Sequence, residues 1–174
     1  MRRTILVAAR LAGAASIAVA LPGALPGQQI KAGRQAPEIA LPDLQGDTVR
    51  LSALRGRPVV LKFWAIYCPS CRTELPDVAA LVRNSGDRLA VVTVDSDDRP
   101  SGIVSYLHGH QLDSAFTVLI DRSRRMQDRY QIFGMPTTFF IDSSGTIRLV
   151  HQGPLTEAQL QSGLDLIVPH HNPE

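Results

Sequence analysis

Cysteine is nearly absent from this chain: only Cys68 and Cys71 occur among its 174 residues. That excludes a framework of structural disulfides, because a bridge between these two closes a four-residue loop and removes little chain entropy. A pair so placed is suited to exchange rather than to stapling. Long apolar runs are lacking too: the stretch Leu11 to Leu21, bounded by Arg10, is shorter than the roughly 20 residues a bilayer span needs. There is no basic block and no aromatic-rich stripe, so no nucleic-acid partner is expected. None of the five histidines stands at metal-ligand spacing from Cys68 and Cys71, so neither a metal nor another cofactor is expected. No internal repeat is visible.

Acidic residues are missing from the first 27 positions, which carry Arg2, Arg3 and Arg10, then the short apolar run, then Pro22-Gly23-Ala24-Leu25-Pro26-Gly27. This is the order of a secretory signal, and its cleavage is favoured over its retention as a membrane anchor. No cysteine lies there to carry a lipid. Without the segment, fifteen basic residues face sixteen acidic ones, a formal charge of −1 where the whole chain has +2. The basicity belongs to the signal. The expected organisation is a signal or anchor over 1–27, a linker over 28–35, one α/β domain over 36–168 and a loose tail over 169–174. An extracytoplasmic location, in the periplasm or cell envelope, follows from that start.

Within the domain, short strands are expected at Glu38–Leu41 and Asp47–Leu51, with Ser52 capping a turn of helix that ends near Gly56. Pro58 to Ala65 reads as a buried strand. A helix follows from Pro69, a tolerated first helical residue, to Asn84-Ser85-Gly86, with Pro76 predicting a kink rather than a break. A strand at Leu89–Asp95, a helix at Pro100–Gly109, a strand at Phe116–Asp121 and a charged helix at Arg122–Tyr130 come next. Strands Thr137–Asp142 and Thr146–Val150 flank the hairpin turn Ser143-Ser144-Gly145. A final amphipathic helix covers Leu155–Val168. Alternating strands and helices ending in a hairpin and a helix describe an α/β domain with a mixed sheet.

The cysteines fall where the apolar strand meets the helix. An exposed helix start supplies unpaired N–H groups and the positive end of a dipole, and both favour a thiolate at Cys68. Phe63-Trp64-Ala65-Ile66-Tyr67-Cys68-Pro69-Ser70-Cys71 resembles the active-site segment of the thioredoxin superfamily. Gly134-Met135-Pro136-Thr137-Thr138-Phe139-Phe140-Ile141-Asp142 resembles its cis-proline segment. Ala36-Pro37, Leu51-Ser52-Ala53-Leu54-Arg55-Gly56, the extra strand and helix between Leu89 and Asp121, and Glu74-Leu75-Pro76 resemble the exported TlpA/ResA-like, or DsbE-like, branch. The resemblance covers residues 36–168.

The resemblance implies a thioredoxin-like fold, with a central mixed sheet flanked by helices, an N-terminal extension and an inserted strand-helix unit. It also implies a protein-disulfide reductase in which Cys68 attacks a partner disulfide and Cys71 resolves the mixed disulfide. Pro136 would lie opposite the pair in a cis bond, leaving the Met135 backbone free to pair with an extended partner. Trp64 and Pro69 would border the partner site. Glu74 matches the buried acid that relays a proton or tunes the resolving thiol.

Lys62 departs from the pattern, standing where thioredoxins proper have a buried acid and this branch often has a neutral amide. Its ammonium either favours a Cys71 thiolate, pairs with Glu74, or reaches past the core to solvent. Tyr67 and Pro69-Ser70 also differ from the commonest spellings. The implied partners are disulfide-containing exported proteins, with the haem-attachment cysteines of apocytochrome c as a family precedent, and a membrane thiol transporter as electron donor. Two other readings compete. A peroxiredoxin-like peroxidase is disfavoured because Ala65 stands where a threonine is wanted, and a chaperone holding a soft ion such as Cu(I) lacks a third ligand.

Overall fold

The computed structural model describes residues 29–113 and 115–168. The expected signal over 1–27 and the tail over 169–174 lie outside the described residues. Among those described, no helix is long and apolar enough to cross a membrane.

The described chain opens on a small antiparallel hairpin, β1 (Ala40–Pro42) with β2 (Thr48–Arg50). Its turn is held by Asp43, whose carboxylate accepts the amides of Gln45 at 2.9 Å and Asp47 at 3.0 Å. A single 3-10 turn, Leu51–Leu54, follows. Ser52 does not cap it: the turn starts one residue earlier, with no side-chain cap, and the Ser52 hydroxyl donates to Glu38 instead.

Six further elements alternate as the sequence pattern requires: β3 (Val59–Trp64), α1 (Pro69–Ser85), β4 (Ala90–Asp95), α2 (Pro100–Gly109), β5 (Thr117–Ile120) and α3 (Arg125–Arg129). The chain closes with β6 (Thr137–Ile141), β7 (Ile147–Gln152) and α4 (Glu157–Asp165). Helix α1 runs through Pro76 without a break. Helix α3 is shorter than its charge pattern suggests, because Asp121 accepts the amides of Met126 and Gln127 and Arg124 turns into the left-handed region at φ 55°. Helix α4 begins at a reciprocal cap, with Thr156 accepting the Gln159 amide and the Gln159 side chain accepting the Thr156 amide.

The main sheet has the order β5-β4-β3-β6-β7. β3, β4 and β5 run parallel, whereas β6 and β7 are antiparallel to their neighbours, so the sheet is mixed. Central β3 is buried along its whole length, and its alternation sorts two faces. Val59, Leu61 and Phe63 meet Ile39, Val92, Phe139 and Tyr130 on the face covered by the N-terminal hairpin. On the other face Val60 packs under α4 residues, and Trp64 lies among Leu75 of α1 and Ile103 of α2. Lys62 belongs by register to that second, helix-covered face.

The second face leaves no room at one point. Gly163 of α4 sits so close to the Phe140 ring that a Cβ at that position would overlap it. Glycine here is a packing requirement.

Candidate active site

The parallel register brings the C-terminal ends of β3, β4 and β5 to one edge of the sheet, and antiparallel β6 begins at that same edge. Sites of α/β sheets gather at such edges. Cys68 is the N-cap of α1 and Pro69 its first residue, so the missing proline N–H costs the helix nothing. Cys68 and Cys71 form a disulfide with Cα atoms 5.2 Å apart. The Cys71 amide donates to Cys68 Sγ at 3.2 Å. This is the orphan donor of a helix N-terminus, and it would favour negative charge on the same sulfur once reduced.

Burial separates the two sulfurs' roles and corrects one expectation. Cys68 is only 6% exposed rather than standing open at the helix start, and Cys71 is wholly enclosed. The covering comes from the loop opposite, where the Met135-Pro136 bond is cis and the Met135 carbonyl oxygen lies 3.5 Å from Cys68 Sγ. That loop is pinned on both sides of the proline: the Thr137 hydroxyl donates to Gly134 O at 2.7 Å, and the Gly153 amide to Pro136 O at 2.8 Å. Trp64 is enclosed beneath the pair in one apolar cluster with both cysteines. Pro69 is exposed beside it, Met135 is half-buried and Pro136 is buried.

Lys62 does not reach solvent. Its side chain is 2% exposed, its Nζ lies 2.5 Å from Glu74 Oε2, and it donates a longer bond of 3.4 Å to Thr138. The other Glu74 oxygen accepts the Leu155 amide just before α4. Burial pulls the Lys62 ammonium below the usual lysine range, and the hydrogen bond and charge of Glu74 oppose that pull. A cleft of about 440 Å³ between α1 and α4 opens onto this pair, walled by Val60, Leu81, Leu155, Leu160 and Leu164.

A second group of residues supports the site and was not singled out from sequence: the acids of Asp95-Ser96-Asp97-Asp98, at the C-terminal end of β4 and just beyond it. The Ile66 amide donates to Asp98 at 2.6 Å and the Tyr67 hydroxyl to Asp97 at 3.1 Å, which props the strand-to-helix turn from the side. Arg124 pairs with Asp97 from the β5–α3 segment. Asp95 accepts the Asp97 and Asp98 amides through one oxygen, while its other oxygen is buried with no partner among the described residues. Burial, with Asp98 alongside, raises the Asp95 carboxyl to about 7. The signal that could have found these acids is their place at the C-terminal end of a parallel strand next to the one bearing the cysteines.

Comparison with known proteins agrees with this arrangement. Residues 32–150 match the AhpC/TSA family. The thioredoxin-like protein YneN of Bacillus subtilis is 34% identical over 138 residues, 79% of this chain and 81% of that protein. The thiol-disulfide oxidoreductase ResA of Halalkalibacterium halodurans is 31% identical over 140 residues, 80% of this chain and 78% of its own. Among solved structures, a protein assigned as the thiol:disulfide interchange protein DsbE of Chlorobium tepidum superposes with a TM-score of 0.68 at 31% identity, covering 79% of this chain and 99% of that one. The exposed lipoprotein thioredoxin Etrx1 of Streptococcus pneumoniae gives a TM-score of 0.66 at 30% identity, covering 74% and 99%. The chain belongs to the AhpC/TSA family and is a thiol-disulfide oxidoreductase of the ResA/DsbE-like kind, with Cys68 and Cys71 as its C-x-x-C pair.

Proposed function

We propose that the protein is exported and reduces disulfides in other exported proteins. The observation that carries this reading is the asymmetry of the pair. Cys68 borders the Met135 carbonyl at the site's edge while Cys71 is sealed behind it. In the reduced protein the Cys68 thiolate attacks one sulfur of the partner disulfide, forming an intermolecular bridge and releasing the partner's other sulfur as thiolate. The Cys71 thiolate then attacks Cys68, restoring the internal disulfide and releasing the second partner sulfur. Two electrons pass to the partner, and the two thiol protons end on its cysteines. A second dithiol, held by a membrane thiol transporter, returns two electrons to the Cys68–Cys71 bridge.

Partner residues would lie along Met135 as an added strand, bordered by Pro69 and Pro136, with Trp64 supporting the floor. Glu74 and Lys62 act as positioning residues for Cys71: Glu74 shares its enclosed face of α1, Lys62 reaches Glu74 from β3, and together they set the charge around the resolving thiol. Export rests on the expected signal over 1–27, and the lipoprotein relative Etrx1 supports it. Haem-attachment cysteines of apocytochrome c are the substrate class suggested by the family.

The test is reduction of a disulfide-bonded protein such as insulin by the dithiothreitol-charged protein. The expected result is turnover above the dithiothreitol background that Cys68→Ser abolishes. Turnover unchanged in Cys68→Ser would overturn the reading.

A further inference from the structure

The edge that carries the disulfide is unusual in what it leaves uncovered. Two of its aromatic side chains stand out from the surface: Tyr67, 66% exposed, immediately before Cys68, and Phe133, 88% exposed, two residues before Met135. They rise from the two loops that face each other across the reactive sulfur, and the Tyr67 hydroxyl lies 4.0 Å from Met135 Sδ. Single exposed apolar residues are ordinary, but aromatic groups on both sides of a reactive centre make a ready anchor for a bound side chain.

The charges at this edge are sorted by sign. Its acids are drawn inward, the exposed Asp128 of α3 excepted: Asp95 and Asp121 are buried, Asp97 is held by Arg124 and Tyr67, and Asp98 takes the Ile66 amide. Its bases are exposed: Arg99 after the β4 loop, and Arg122, Arg124 and Arg125 after β5. The arginine segment is fixed in place, because Asp121 binds the Met126 and Gln127 amides and Arg124 is tied to Asp97. A partner approaching the sulfur therefore meets an apolar collar and, beyond it, positive charge.

We propose that this edge docks an extended segment of the partner protein that carries an aromatic or branched aliphatic residue beside the attacked cysteine and acidic residues a few positions away. The proposal rests on the reduction of partner proteins described above and names the partner's local chemistry. Tyr67 and Phe133 take the apolar side chain, and Arg122 and Arg125 attract the acids, chiefly by speeding encounter.

The test uses the reduced full-length chain and three synthetic peptides sharing one intramolecular disulfide: phenylalanine beside the cysteine with three glutamates, the same with three lysines, and glycine with three glutamates. Each rate is divided by the rate of the same peptide with dithiothreitol, and hydroxyethyl disulfide serves as a small neutral probe. The phenylalanine-glutamate peptide should react about tenfold faster than its lysine counterpart at low salt, and the gap should narrow severalfold in about 0.5 M salt. The ratio should fall towards one in Arg122→Glu/Arg125→Glu, and Phe133→Ala should lower the phenylalanine-over-glycine ratio severalfold. Equal rates for the three peptides, or ratios unmoved by these substitutions, would overturn the docking surface alone. A protein that reduces hydroxyethyl disulfide but no peptide would overturn the reduction of partner proteins, and the docking surface with it.

Discussion

Lys62 and Glu74 form an ion pair inside the protein, between the central strand and the helix that carries the cysteines, and the second oxygen of the same carboxylate accepts the Leu155 amide. One carboxylate thus links β3, α1 and the approach to α4. Such a pair is stable as a unit and costly to halve, because removing one partner leaves a largely buried charge without its counter-ion.

Lys62→Met should therefore destabilise the protein by about 3–5 kcal/mol in urea unfolding at neutral pH. Lys62→Met combined with Glu74→Leu should recover most of that loss. A single substitution costing under about 1 kcal/mol would mean the pair is solvated.

The two partners should move the titration of the resolving thiol in opposite directions. Glu74→Gln removes a negative charge from the face of α1 that Cys71 shares, so Cys71 in the reduced protein should titrate lower. Lys62→Met leaves the carboxylate unopposed and should move it higher. Thiolate absorbance against pH reads both, and changes of the same sign would indicate a structural role only.

Asp95 gives the fold a pH dependence of definite sign. Its carboxyl is raised from 3.8 to about 7 in the folded protein, so the folded state holds a proton that the unfolded chain has already lost. This contribution is complete below pH 3.8 and is lost as pH rises through about 7. It amounts to a few kcal/mol, since each pH unit separating the folded and unfolded titrations is worth about 1.4 kcal/mol. Asp95→Asn keeps an acceptor for the Asp97 and Asp98 amides and cannot ionise, so its stability should be flatter between about pH 4 and 7.5. Parallel stability curves for the two proteins would contradict this.

Gly163→Ala should destabilise the protein by about 1–3 kcal/mol through overlap with the Phe140 ring, even though alanine is the better helix former. Phe140→Leu in the same chain should restore part of the loss. A stabilised Gly163→Ala, read by thermal melting, would show that α4 can move away from the sheet.

The order of elements was legible because local signals mark it: β3 is a run of apolar residues, Pro69 opens α1, and Asn84-Ser85-Gly86 closes it. The cysteine pair and the proline loop were legible for the same reason, each being a short contiguous motif. Partnerships across the chain left no such trace. Ser52 looked like a cap by its neighbours, but Glu38, fourteen residues earlier, takes its hydroxyl. Cys68 looked exposed from its helix position, and it is the Met135 loop, 67 residues away, that covers it. Of three open readings for Lys62, only the tertiary fold selects Glu74, because strand alternation turns Lys62 under α1 and α4. Asp97 and Asp98 gave no periodic signal at all, since their role lies in bonds to a neighbouring strand's loop.

Replacing Cys71 by alanine in the native cell and isolating what remains joined to Cys68 tests the proposed reaction at its first covalent step. Exported proteins should be recovered in thiol-labile adducts, and these should vanish when Cys68→Ser is added. Adducts no more abundant than in that double variant would contradict the attack of Cys68 on partner disulfides.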